Sequence, residues 1–197
     1  MGLTANFLAS YVNVLSKRIK VFVVLNMLFL DSIFMGVLLS QFLRVPSLSI
    51  GGSVGVLTWI LSLDWPWMVL AVFLFNLVLS GLVVLVLPGL AFFPLSAMFL
   101  AVRGALWGIM FNQPSTVPFV LLLPTLVLEG EGYVLVSMSG TVLGLSWLKP
   151  NWVYRGEQLS RLDALKTSVK EALRLLFLSA ILLFSAAVVE TITISVA

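Results

Sequence analysis

The fold class this chain predicts is an all-α polytopic membrane helix bundle of about five transmembrane helices, and three observations carry that reading. Hydrophobic residues make up 61% and charged residues 10% of the 197, with a mean hydropathy of +1.17, whereas a water-facing surface demands far more charge. The apolar residues fall in runs long enough for a hydrocarbon core that an α-helix crosses in about 20 residues. Basic residues gather at alternate run ends, as in a chain threaded back and forth across a bilayer. Five spans and their connections leave no length for a separate soluble catalytic domain. One membrane domain over 1–197 is expected, with the lipid bilayer as its first partner.

Residues 1–18 place Phe7, Leu8, Tyr11, Val12, Val14 and Leu15 at helical spacing ahead of Lys17, Arg18 and Lys20, which predicts an interfacial helix feeding the first span. The first span, 21–43, is too long for a signal-peptide core. It carries Asn26, Asp31 and the small-residue file Ser32, Gly36, Ser40, with Asp31 about 16 Å along the helix from the basic end. Residues 44–66 hold Arg44, Pro46, Gly51, Gly52, Trp59, Asp64 and Pro66 and predict an extracytoplasmic loop whose tryptophans suit the membrane interface. The second span, 67–88, contains Asn76, Ser80 and Gly81, and an uncharged turn at Pro88 and Gly89 returns the chain. In the third span, 91–111, Ala97, Ala101, Gly104 and Gly108 share a face that lets a neighbouring backbone approach closely.

The apolar run from 117 to 148 is too long for one untilted span and is interrupted by Glu129-Gly130-Glu131-Gly132. Residues two apart on a helix point about 200° away from each other, so both acids could not face one partner on a regular helix. Gly130 and Gly132 weaken the helix there, which predicts a fourth span kinked or broken near 129–132. Gly140 and Gly144 form a second close-packing pair if the remainder is regular. Residues 149–171 continue into a basic stretch with Lys149, Arg155, Arg161, Lys166 and Lys170, whose leucines at helical spacing predict a cytoplasmic amphipathic helix at the surface. The fifth span is 172–197, with Glu190 on one face. Counting basic residues by loop places the N-terminus in the cytoplasm and the C-terminus outside the cell membrane.

Five ionisable residues fall inside the spans: Asp31, Arg103, Glu129, Glu131 and Glu190, four acids against one base. An unpaired guanidinium or carboxylate at mid-bilayer costs at least about 2.5 kcal/mol on insertion scales. Arg103 therefore predicts a hydrogen bond to Glu129 or Glu131. The remaining acids must be protonated, bind a cation, meet water or meet a partner's base. The alternative is that Arg103 forms a structural pair while Asp31 and Glu190 lie near water at helix ends.

Without cysteine or histidine the chain lacks thiolate nucleophiles, disulfides, the usual catalytic base and the commonest metal ligand. Intramembrane zinc and rhomboid-type proteases need a histidine that Ser139 does not have, and no phosphate-binding or dinucleotide glycine pattern occurs. The expectation is no catalysis, no metal, no cofactor and no nucleic-acid partner.

The order of features resembles the stage II sporulation protein M family of integral membrane proteins, which includes uncharacterised archaeal members. Pro124 and Glu129 match the fourth-span signature in register, and Tyr133-Val134-Leu135 through Gly140 and Gly144 continue it. Asn76, the Gly104 and Gly108 pair, and Glu190 with Thr191 resemble the family's other marks, while Thr125 and Leu126 stand where the family has histidine and glycine. The resemblance implies a membrane component acting with partners and no catalytic mechanism of its own. The leading expectation is a non-catalytic scaffold whose partner is another membrane protein or a second copy. The alternative is a small proton- or cation-coupled transporter or channel using the mid-membrane carboxylates.

Overall fold

The computed structural model describes residues 12–43, 59–60, 62–111, 119–154 and 159–196, and among them there is helix and no strand. Among the described residues five helices are long and apolar enough to cross a membrane: α1 (Ile19–Leu43), α2 (Trp65–Ala91), α3 (Phe93–Phe111), α4 (Phe119–Leu148) and α6 (Arg161–Val196), with the one-turn α5 (Pro150–Val153) between the last two. The chain is a multi-pass membrane protein. Starts and ends alternate between a basic end, holding Ile19, Ala91, Leu148 and Arg161, and a far end, holding Leu43, Trp65, Phe111 and Phe119. Exposed Trp59, Trp65 and Trp67 stand at the far end and exposed Trp147 and Trp152 at the basic end. These are the two levels at which an indole buries its rings and keeps its N–H wet.

α4 is the hub. Its apolar window is 78% buried, against 17% to 33% for the other four spans. It packs most extensively on α6 and also touches α1, α2 and α3, while α1 rests mainly on α3. Small residues make that centrality possible. A Cβ at Gly140 would meet Leu85 O at 2.8 Å, and one at Gly144 would strike Gly89 O, so the α2–α3 corner lies directly on the α4 backbone. On the other side Gly36, Gly104 and Gly108 bring α1 and α3 together until a Cβ at any of them would overlap the facing helix. Hydroxyls complete these contacts: Ser96 Oγ donates to Ser137 O at 3.0 Å, Ser179 Oγ to Gly132 O at 2.9 Å, and Ser146 and Ser168 share a bond of 2.6 Å.

The fourth span departs from expectation: α4 is one continuous α-helix through Glu129-Gly130-Glu131-Gly132, without a break. The two glycines serve packing, with the Phe29 ring against Gly130 and the Leu183 side chain against Gly132, both where a Cβ would otherwise stand. The return after the second span is also corrected. Pro88 and Gly89 lie within the last helical turn of α2, and the reversal occurs at Phe92, whose backbone is extended. The basic amphipathic stretch is no separate surface helix from Arg161 onward, because it forms the first turns of the 36-residue α6. Residues 12–17 are helical and lead through Arg18 into α1, while 1–11, 44–58 and 61 of the predicted interfacial helix and loop lie outside the described residues.

The basic end is closed by a clasp. Glu171 on α6 accepts from Lys17 Nζ at 3.2 Å and from Arg18 Nη2 at 3.0 Å, and Arg18 Nη1 donates to Val153 O at 2.8 Å. Both cations also stand over the Tyr154 ring, 5.0 and 5.2 Å from its centroid.

Candidate functional site

Along the hub helix Thr125, Glu129, Tyr133, Ser137 and Thr141 recur every four residues, the spacing that lays side chains along one ridge of an α-helix. All five are buried, none more than 8% exposed. At 1.5 Å per residue the file runs about 24 Å, most of a hydrocarbon core about 30 Å thick.

Neighbouring helices answer it. Arg103, mid-way along α3, donates through Nη2 to Glu129 Oε1 at 3.1 Å and to the Tyr133 hydroxyl, which itself donates to Glu129 Oε1 at 2.7 Å. The guanidinium also lies over the Tyr133 ring, 3.8 Å from its centroid, and the edge of Trp107 packs against the same ring. One carboxylate, one guanidinium and one phenol thus form a closed triangle in which each group has a polar partner. Ser80 on α2 is the hydroxyl neighbour of Tyr133, and Ser96 on α3 meets Ser137, the two hydroxyl oxygens lying 3.1 Å apart.

The α2 face that reaches this site is wound as a π-helix over Phe75–Val86. Hydrogen bonds from i to i+5 stack residues five apart, and the buried residues there are Asn76, Gly81 and Val86 in one file and Ser80 and Leu85 in the next. Regular α-helix would carry these positions progressively around the axis. The wider winding keeps Asn76, Gly81 and Val86 turned inward together, and π-helical segments recur at functional sites.

Glu190 joins from α6 and lies where the charges of Glu129 and Arg103 act on it. Arg103 and Glu129 already neutralise each other, so Glu190 is the second acid at a site with one base, and no hydrogen bond holds it among the described residues. Three polar atoms of the seam are buried without a hydrogen-bond partner among the described residues: Arg103 Nε, Thr125 Oγ1 and Thr141 Oγ1.

The predicted pairing of Arg103 is present, with Glu129 as the partner. Of the five ionisable candidates the structure gathers Arg103, Glu129 and Glu190 and separates the other two. Glu131, two residues on in a regular helix, faces away into an open groove of about 280 Å³ lined by Phe22, Leu128, Leu135, Leu178 and Leu182, with Asn26 as its polar neighbour. Asp31 is exposed on the outer face of α1. The packing glycines Gly36, Gly104, Gly108, Gly140 and Gly144 all lie against the chain's own helices. The residues whose part in the site sequence reading missed are Thr125, Tyr133, Ser137 and Thr141, and their signal was the four-residue register with Glu129. No group of three or more His, Cys, Asp or Glu able to hold a metal occurs among the described residues.

Comparison with protein-family models, with curated proteins and with solved structures returns no match.

Proposed function

We propose that the chain is a small transport protein or channel that moves protons, alone or coupled to a small cation, through carboxylates buried in the membrane. The observation that carries this reading is the file from Thr125 to Thr141 on the most buried helix, with Glu129 and Glu190 sharing the single base Arg103. Polar groups inside a membrane are expensive, and those that line a path from one side to the other mark ion or proton routes. A carboxylate that has lost the guanidinium to its neighbour is the natural proton carrier, and hydroxyls at four-residue intervals, with water between them, pass the proton along. The unpaired hydroxyls of Thr125 and Thr141 at the two ends of the file are where such water would enter. The small-residue faces that favoured a scaffold all lie within the bundle, so they no longer support that reading. The basic end faces the cytoplasm on this reading, putting the N-terminus inside and the C-terminus outside, because Lys17, Arg18, Lys149, Arg161, Lys166 and Lys170 gather there.

The test is flux into proteoliposomes containing the full chain and a trapped pH-sensitive dye, driven by a potassium diffusion potential. Proton entry is expected, with Glu129→Gln and Glu190→Gln each slowing it by about tenfold or more. Absence of proton, sodium and potassium flux in protein shown to be folded would refute the proposal, as would unchanged rates in both variants.

A further inference from the structure

Asp31 stands twelve residues from each end of Ile19–Leu43, about 18 Å from either end of the helix and so near the middle of a span. It is exposed, between exposed Val24, Met27, Leu30, Phe34 and Met35. An aspartate side chain is too short to reach headgroups from that depth, so snorkelling does not relieve it. The opposite face of α1 is already occupied: Phe29, Ser32, Ile33 and Gly36 press on Gly104 and Gly108 of α3. α1 is the least buried of the five spans, and its free face carries one carboxylate at the depth where lipid offers no partner.

We propose that this face is a docking surface for a membrane-spanning helix of another protein, one that carries a lysine or arginine at the bilayer midplane. Charge chooses the occupant. A second copy packing through the same face would set Asp31 against Asp31. The base that the described residues hold at this depth, Arg103, lies on α3 and is engaged by Glu129. The complementary cation therefore comes from a different chain, with its basic residue about twelve residues from the end of its span. Met27 and Met35 on either side of Asp31 suit the contact, since unbranched thioether side chains adapt to an incoming helix. The inference does not depend on the transport reading, because Asp31 lies outside the Arg103 site.

The test uses the full chain, labelled at a single cysteine introduced by Asn151→Cys, in lipid vesicles with leucine-rich single-span peptides. The peptides carry lysine, glutamine or leucine at the centre and an acceptor dye. Energy transfer is expected to report association about fivefold or more tighter for the lysine peptide than for the leucine peptide, a preference lost in Asp31→Asn and kept in Glu131→Gln. Because Asp31 touches none of the core, its variants remain folded and the comparison stays readable. Three results overturn the proposal: no preference for lysine; a preference that survives Asp31→Asn; or transfer between two labelled copies of the chain that falls in Asp31→Asn, which would make the occupant a second copy.

Discussion

Arg103 donates to Glu129 and to the Tyr133 hydroxyl and covers the Tyr133 ring, so removing it strands a buried carboxylate with one hydrogen bond. Severing a fully buried pair costs about 3–5 kcal/mol. Here a quarter of the Arg103 side chain is exposed, and Arg103→Leu is expected to lower unfolding free energy by about 2 kcal/mol in detergent micelles. The double variant Arg103→Leu, Glu129→Leu should return most of that loss, since replacing both charges by apolar groups is close to neutral. Proton flux should stay absent in the double variant. Recovery of stability with recovery of flux would show that the pair is structural and the route lies elsewhere. Charge counting alone foretold that Arg103 takes a carboxylate, because no deep guanidinium is left bare. Which carboxylate depended on azimuth. On an unbroken helix Glu129 and Glu131 diverge by about 200°, and α3 lies on the Glu129 side. Asp31 teaches the same lesson: its depth follows from counting along the span, whereas its outward direction follows from which face of α1 the glycines turn toward α3.

At the scale of whole helices, the α1–α3 interface is set by backbone proximity. A Cβ at Gly108 would overlap Ile33 O and come within 2.9 Å of the Gly36 Cα, atoms that no rotamer change can move aside. Gly108→Ala should therefore force the two helices apart at a cost of about 1–3 kcal/mol, measurable as a lowered midpoint of thermal unfolding. Gly81→Ala is the contrast. Its Cβ would meet Asn76 O at 3.2 Å and the Val136 methyls at 3.5 Å, so the midpoint should change little. If both substitutions behave alike, close packing does not define the α1–α3 contact. The spans themselves were legible in the sequence to within about two residues at most ends, since apolar length and charge placement are direct consequences of the bilayer. So were the close-packing pairs Gly104 with Gly108 and Gly140 with Gly144, whereas the role of Gly130 and Gly132 was not. A glycine in a membrane helix either weakens it or admits a neighbour, and only the presence of Phe29 and Leu183 against Gly130 and Gly132 distinguishes the two. The π-helical winding of Phe75–Val86 left no mark in composition, because the five-residue spacing of Asn76 with Gly81 and of Ser80 with Leu85 has meaning only once the buried face is known.

For the molecule as a whole, the polar file sits on the helix that every other span surrounds, and its two end hydroxyls are the furthest apart of its members. Thr125 lies six residues from the start of Phe119–Leu148 and Thr141 seven from its end, each about 10 Å inside the helix along the axis. A route through the bundle requires each to be wetted from its own side. The chain has no cysteine, so single replacements at Thr125, Thr141 and Ser139 can be read without background. Ser139 is the control. It is as buried as its neighbours, but its hydroxyl bonds Leu135 O and approaches Ala172 O on α6, on the side away from the file. A small charged methanethiosulfonate reagent added to one face of oriented vesicles should modify Thr125→Cys from the far end only and Thr141→Cys from the basic end only. Ser139→Cys should remain unmodified from both. A thiol reacts as thiolate, which forms where water reaches, so this pattern would locate two aqueous entries separated by the Arg103 site, the arrangement that vectorial proton movement needs. Modification of Ser139→Cys at the rate of the other two would mean that water enters between α4 and α6 instead, and silence at both threonines would leave the file as dry packing between helices.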